Sequence, residues 1–136
     1  MPTYVTETPA ADSQSALSHF EDMLTFETDC WDVHASSQSG ETDFLLFDVR
    51  SPEMYAKGHL PGAINIMHGK MTKRRMEEFP EGKLMVVYCA GPHCNGANKA
   101  AVRLAGYGIP VKMMIGGITG WIDEGFDLVT EAVAAQ

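Results

Sequence analysis

Long hydrophobic runs, basic side chains and cysteines are all scarce in this chain of 136 residues. No apolar run approaches the ~20 residues that a membrane-spanning helix needs, which excludes a helical integral membrane protein and any membrane partner of that kind. Ten Lys and Arg stand against 18 Asp and Glu, a formal net charge of −8. That sign is wrong for a protein that tracks phosphate backbones, so nucleic acid is excluded as the main partner. Cysteine is limited to Cys30, Cys89 and Cys94. An odd count, with neither a basic start nor an apolar stretch in residues 1–14, predicts free thiols in a reducing compartment, the cytoplasm by default. Internal repeats are absent as well.

What is present reads as one α/β domain. Hydrophobic residues make up 45% and charged residues 21%, a globular balance that excludes disorder and coiled coil. We divide the chain into a frayed or disordered start (1–14), an N-terminal helix with a lead-in strand (15–39), a core (40–129) and a tail (130–136). From Ser15, apolar Ala16, Leu17, Phe20, Met23 and Leu24 recur at helical spacing. A β-like stretch over 24–30 and a polar helix-or-loop over 32–40 follow. Residues 44–49 are nearly all apolar, as expected of a strand covered on both faces. Ser51-Pro52-Glu53 is a helix start, with serine as N-cap and proline in the first turn. The cluster at 58–62 is a turn, 63–67 a short apolar run and 70–79 a charged helix. Residues 84–88 form a second buried strand, 89–96 a loop, and Ala97 opens a small-residue helix through Ala100, Ala101, Leu104 and Ala105. A strand over 111–115, a turn at Gly116-Gly117 and a helix over 118–124 complete the pattern. Alternating strands and helices predict a parallel sheet flanked by helices on both faces, with ligands at the carboxyl ends of the strands.

That rule puts the chemistry in the loop after Tyr88. A turn leading into a helix presents backbone N–H groups as an anion-binding nest, and the helix N-terminus adds unpaired donors. A thiol at such a position can fall from about 8.5 to between ~3.5 and ~7.5 in pKa. Residues 89–96 contain no acidic side chain to oppose the shift. Cys89 is therefore the candidate nucleophile, with Ala90, Gly91, His93, Cys94, Asn95 and Gly96 as the substrate-binding cradle.

At these residues the sequence resembles the rhodanese homology family of sulfurtransferases. The resemblance is carried by Phe47-Asp48-Val49-Arg50, Glu53 with Tyr55, and the run from Gly58 to Asn65. It continues in Val86-Val87-Tyr88-Cys89, Ala100-Ala101 with Leu104, and Gly116-Gly117 followed by Trp121 and Gly125. It implies a rhodanese-like fold. It also implies that Cys89 takes a sulfane sulfur from a small anionic donor as a persulfide and passes it to a thiol or carrier-protein acceptor, with no metal and no cofactor.

Two features depart from the family. Ala100 and Ala101 stand eleven and twelve positions after Cys89, two further than usual, so the active loop is about two residues longer. Cys94 lies in the same turn as Cys89, close enough in chain for a disulfide, and can act as a resolving thiol or simply line the loop. A zinc site built from Cys89, Cys94, His93 and a remote histidine lacks the usual two-to-four-residue gap. A redox sensor or non-catalytic binding module using Cys89 and Cys94 is the alternative function. Phosphatase or arsenate reductase chemistry is a weaker one, because residues 90–98 hold no arginine and Pro92 offers no N–H. Asp48 and Arg50 are supporting residues: Asp48 ties down the turn after its strand, and Arg50 pairs with a carboxylate or attracts the donor. His59 reads as a turn residue bonded to the backbone. Lys73 with Glu77 and Arg74 with Glu78 read as ion pairs on a solvated helix face.

Overall fold

The computed structural model describes residues 1–130. The elements in chain order are α1 (Ser13–Phe26), β1 (Glu27–Thr28), α2 (Cys30–Ser37), β2 (Phe44–Asp48), α3 (Pro52–Lys57), β3 (Ile64–Asn65), α4 (Lys73–Met76), β4 (Leu84–Tyr88), α5 (Gly96–Gly106), β5 (Val111–Met114) and α6 (Gly117–Asp123). The five strands form one sheet in the order β1-β5-β4-β2-β3, with every pairing parallel. A short 3₁₀ turn, His68–Lys70, precedes α4.

Strand alternation distributes the core between the two faces of this sheet. Phe44 and Leu46 of β2, with Val86 and Tyr88 of β4, pack with Cys30 and Val33 of α2, Tyr55 of α3 and Trp121 of α6. Phe47, Met85 and Val87 point the other way and pack with Met76 of α4 and Ala97, Ala100 and Leu104 of α5. The sheet is thus covered by helices on both sides, which is why β2 and β4 read as continuous apolar runs. Small side chains at Ala97 and Ala100 let α5 lie close to the strands. Beyond Tyr88 the alternation carries Cys89 to the α5 side.

Several local expectations change in the folded chain. The N-terminal helix starts at Ser13, two residues before the apolar periodicity, because Asp12 caps it by accepting from Ser15 N–H. It runs to Phe26 and leaves only Glu27–Thr28, an edge strand, of the β-like stretch expected over 24–30. Asp29 then caps α2 by accepting from Asp32 N–H at 2.8 Å, turning the helix-or-loop segment into a helix. The charged helix expected over 70–79 contracts to α4. Met71 is fully buried with non-helical dihedrals, and Thr72 starts a new helix by accepting from Arg75 N–H. The ion pair formed there is Arg75 with Glu78 at 2.8 Å, in place of the two four-residue pairs expected. Residues 131–136, most of the expected tail, lie outside the described residues.

The connection after β2 leads to β3 on one side, and the connection after β4 leads to β5 on the other. The chain therefore reverses its winding between the carboxyl ends of β2 and β4. This is where an open α/β sheet leaves a crevice for ligands.

Candidate active site

A buried polar network braces the carboxyl ends of β2 and β4. Asp48 is fully buried, and its Oδ1 accepts from the backbone N–H of Arg50 at 2.9 Å. The same carboxylate accepts from Arg50 Nε at 3.0 Å and Nη2 at 2.7 Å, a fork-to-fork pair. Nη2 also donates to Gly58 O at 2.7 Å. Tyr88 donates its hydroxyl proton to Asp48 Oδ2 at 2.8 Å and accepts from Leu60 N–H at 3.1 Å. Asn65 Nδ2 donates to the carbonyls of Asp48 and Arg50.

Burial pulls the Arg50 guanidinium pKa down, but its bonds and charge pairing with Asp48 outweigh that and leave it raised. Burial, reinforced by the Asp48 charge, pushes the Tyr88 phenol well above its ordinary range. Both groups keep the charge states the network needs. Arg50 is thereby occupied within the scaffold, its guanidinium bonded to Asp48 and to Gly58 O. His59 stands beside it, buried, with Nδ1 2.8 Å from Tyr55 O and its ring stacked on Tyr55.

The loop after β4 is held by its carbonyls. Cys89 O accepts from Ile118 N–H at 3.1 Å, and Ala90 O accepts from Thr119 N–H at 3.0 Å and from Thr119 Oγ1 at 3.1 Å. Gly91 O accepts from Cys94 N–H at 3.0 Å, closing the turn. In planar trans peptides the N–H lies opposite the carbonyl, so the Ala90 and Gly91 N–H groups occupy the edges opposite the Cys89 and Ala90 carbonyls.

Two glycines make the close packing possible. A Cβ on Gly117, whose φ is +58°, would meet Cys89 O and would lie 2.8 Å from Gly91 N. A Cβ on Gly96 would lie 2.9 Å from Cys89 Sγ and 3.5 Å from Cys94 Sγ. The Cys89 sulfur therefore rests against the first residue of α5. Asn95 makes no side-chain cap bond, and Lys99 N–H is the first to bond back, to Asn95 O at 3.1 Å. The N–H groups at the start of α5 are thus of the kind that can serve an anion.

Cys89 is 6% exposed and Cys94 is half-buried, and the two are joined by a disulfide across a Cα–Cα distance of 6.4 Å. This corrects the expectation of three free thiols: Cys30 alone is free. Above the disulfide lies an open depression of about 540 Å³ lined by Ala90, Pro92, His93, Cys94, Asn95 and Asn98. Four of the expected cradle residues, Ala90, His93, Cys94 and Asn95, thus meet at one surface. Gly91 and Gly96 lie buried beneath it, and Asp48 and Arg50 brace the adjoining strand ends without lining it.

Sequence reasoning did not single out Asn98, Thr119 or His68 for the site, and it gave Gly117 as a turn residue and part of the resemblance without connecting it to the thiol loop. Asn98 follows Asn95 by three positions on a helix start, a spacing that puts both on one side and could have revealed it. The imidazole Cδ2 of His68 lies 3.6 Å from where a Gly96 Cβ would be, so His68 and the Cys89 sulfur both face the first residue of α5. Nothing local announces that placement, because His68 and Gly96 are brought together only by the packing of the 3₁₀ turn under α5.

Comparison with known proteins places these features in a family. A family model for the rhodanese-like domain matches residues 32–124. An HTH-type transcriptional regulator of Mycobacterium tuberculosis is 36% identical over 94 residues, 65% of this chain but only 40% of the regulator. A sulfurtransferase of Allochromatium vinosum is 33% identical over 88 residues, 64% of this chain and 79% of that protein. The crystal structure of a Bacillus halodurans protein matches with a TM-score of 0.84 at 34% identity, covering 88% of this chain and 87% of its own.

Proposed function

The chain belongs to the rhodanese-like domain family, and from that membership we propose that it is a sulfurtransferase working through a persulfide on Cys89. One observation carries the reading: the Cys89 sulfur sits at the carboxyl end of the central strand, against the first residue of α5. In the reduced protein, helix N–H groups favour the thiolate over the thiol. The thiolate attacks the outer sulfur of an anionic donor, whose remainder leaves with the bonding electron pair. Cys89 then carries the added sulfur as a persulfide anion, with the charge one atom further out, toward the depression. An acceptor thiolate attacks that outer sulfur, takes it, and releases Cys89 as thiolate. No metal is needed, because preorganised amide donors stabilise each anion in turn. Ala90, His93, Cys94 and Asn95 border the surface over which donor and acceptor approach. We place the reaction in a reducing compartment, the cytoplasm.

The test is mass spectrometry of dithiol-reduced, desalted protein exposed to thiosulfate and, separately, to a small-molecule persulfide. We expect one added sulfur on the peptide containing Cys89 and none in Cys89→Ser. Absence of the adduct with both donors would overturn the reading.

The Cys89–Cys94 bond favours a second reading, a thiol redox sensor that turns over no sulfur substrate. In a reducing compartment, disulfides are typically transient and either catalytic or sensing. Mild peroxide followed by non-reducing peptide mapping separates the two. A rapid, reversible bond together with negligible transferase turnover selects the sensor.

A further inference from the structure

We propose that Cys94 is the resolving thiol of this site, so that the protein releases a bound sulfane sulfur as hydrosulfide instead of only passing it on. The inference rests on the persulfide reading above and adds a second outcome for the same intermediate.

The disulfide identifies which sulfur Cys94 can reach. It joins Cys94 Sγ to Cys89 Sγ, the atom that becomes the inner sulfur of a Cys89 persulfide. Attack on an outer sulfur would only move the persulfide onto Cys94. Attack on the inner sulfur expels the outer one, and this is the approach the loop allows. The Cys94 thiol gives its proton to the outer sulfur of the persulfide anion, its sulfur forms a bond to Cys89 Sγ, the bond from Cys89 Sγ to the outer sulfur breaks, and the outer sulfur leaves with the electron pair as HS⁻. The sulfane sulfur is reduced to sulfide while the two cysteine thiols are oxidised to the disulfide, so the step needs no outside oxidant. The structure corresponds to its product.

Three details of the loop suit Cys94 to this role. Its N–H is tied to Gly91 O, which folds the turn back and presents its side chain to Cys89. Gly96 has no side chain between the two sulfurs and the start of α5, where a Cβ would crowd Cys89 Sγ and touch Cys94 Sγ. The exposures are also unequal: Cys94 is half-buried and lines the open depression, whereas Cys89 is 6% exposed. An external dithiol therefore meets Cys94 first. Its attack on Cys94 Sγ releases Cys89 as the leaving thiolate at the helix N-terminus, where that charge is best accommodated. The dithiol then closes to its own disulfide, freeing Cys94 and restoring both thiols.

The experiment mixes fully reduced, desalted wild type, Cys94→Ser, Cys94→Ala and Cys89→Ser with a small-molecule persulfide, without added reductant. Sulfide is measured over the Cys89→Ser background, and the chains are mapped by non-reducing mass spectrometry. Wild type should release about one sulfide per chain, stop with Cys89 and Cys94 joined, and resume when a protein dithiol is added. Both Cys94 variants should lose the burst at least tenfold and accumulate persulfide on Cys89. A wild type that keeps its persulfide without forming the disulfide overturns this proposal alone. So do Cys94 variants that release sulfide as fast as wild type. Failure of Cys89 to acquire sulfur in any chain overturns the parent reading and this one together.

Discussion

Two cysteines begin helices or sit against a helix start in this chain, and their surroundings differ in charge and in hydrogen bonding. Cys30 is the first residue of α2, yet burial, then the charges of Asp29 and Glu124, push its thiol up to about 11. Its sulfur lies 3.6 Å from the carbonyls of Ile115 and Gly117, partners that suit a protonated thiol. The loop around Cys89 holds no carboxylate, and its carbonyls are bonded to α6 and to the turn itself. A helix N-terminus alone does not make a nucleophile; the neighbours decide. The same holds for Arg50, whose charge is consumed by Asp48 in a site where side-chain exposures are 7% and 0%. Arg50→Leu should destabilise the fold by ~3–5 kcal/mol, because it leaves a buried carboxylate without its counter-charge. Tyr88→Phe should cost ~1–3 kcal/mol by stranding Leu60 N–H and removing one donor to Asp48. Urea unfolding followed by circular dichroism measures both, and equal stability for Arg50→Leu and wild type would refute the network's role.

Elements contribute unequally. The loop after β4 and the start of α6 are interlocked through Gly117, which no side-chain-bearing residue can replace without moving the Cys89–Gly91 backbone. Gly117→Ala is expected to lower stability by ~1–3 kcal/mol and to slow persulfide formation on Cys89 by at least tenfold. By contrast, α1 has no buried residue, and Leu17, Phe20 and Leu24 are all more than half exposed. Phe20→Ala serves as the control: a change within about 0.5 kcal/mol, with persulfide formation unaltered. The amphipathic spacing that reveals α1 in the sequence is thus a poor guide to its weight in the fold. Periodicity reports a local stripe, and whether the stripe meets a partner depends on where the helix is set down. The charged helix expected over 70–79 illustrates the converse: Met71 is drawn into the core, and Thr72 must restart the helix.

At the scale of the whole molecule, alkaline pH works against the folded state. The Cys30 thiol is raised from 9.0 to about 11, so the folded chain holds a proton that the unfolded chain gives up first. Its contribution to stability is fully present below about pH 9 and is lost as pH rises toward about 11. Melting temperatures should fall across that window in wild type and fall less in Cys30→Ala, whose melting temperature is lower at neutral pH. Parallel slopes for the two proteins would contradict the assignment. Native Cys30 should also resist iodoacetamide at pH 8, while reduced Cys94 reacts.

Much of this architecture is written locally. Continuous apolar runs at β2 and β4, the Ser51-Pro52 helix start and the small-residue face of α5 specify a parallel sheet covered on both sides, because each depends on neighbours in sequence. The same logic reaches Cys89, since a strand that ends in a glycine-containing loop before a helix positions a thiol at the sheet's working edge. The folded chain alone decides matters that require distant segments to touch. Gly117 seals the loop from 28 residues away, Tyr88 and Leu60 close the network over Asp48, and His68 comes up to Gly96 through a turn packed on α5. Proximity in space follows from how the sheet, α5 and α6 dock, and docking is a property of buried surfaces taken together. Even for Cys89 and Cys94, five positions apart, chain distance only permits contact. The turn held by Gly91 O and the absent side chain at Gly96 bring their sulfurs together.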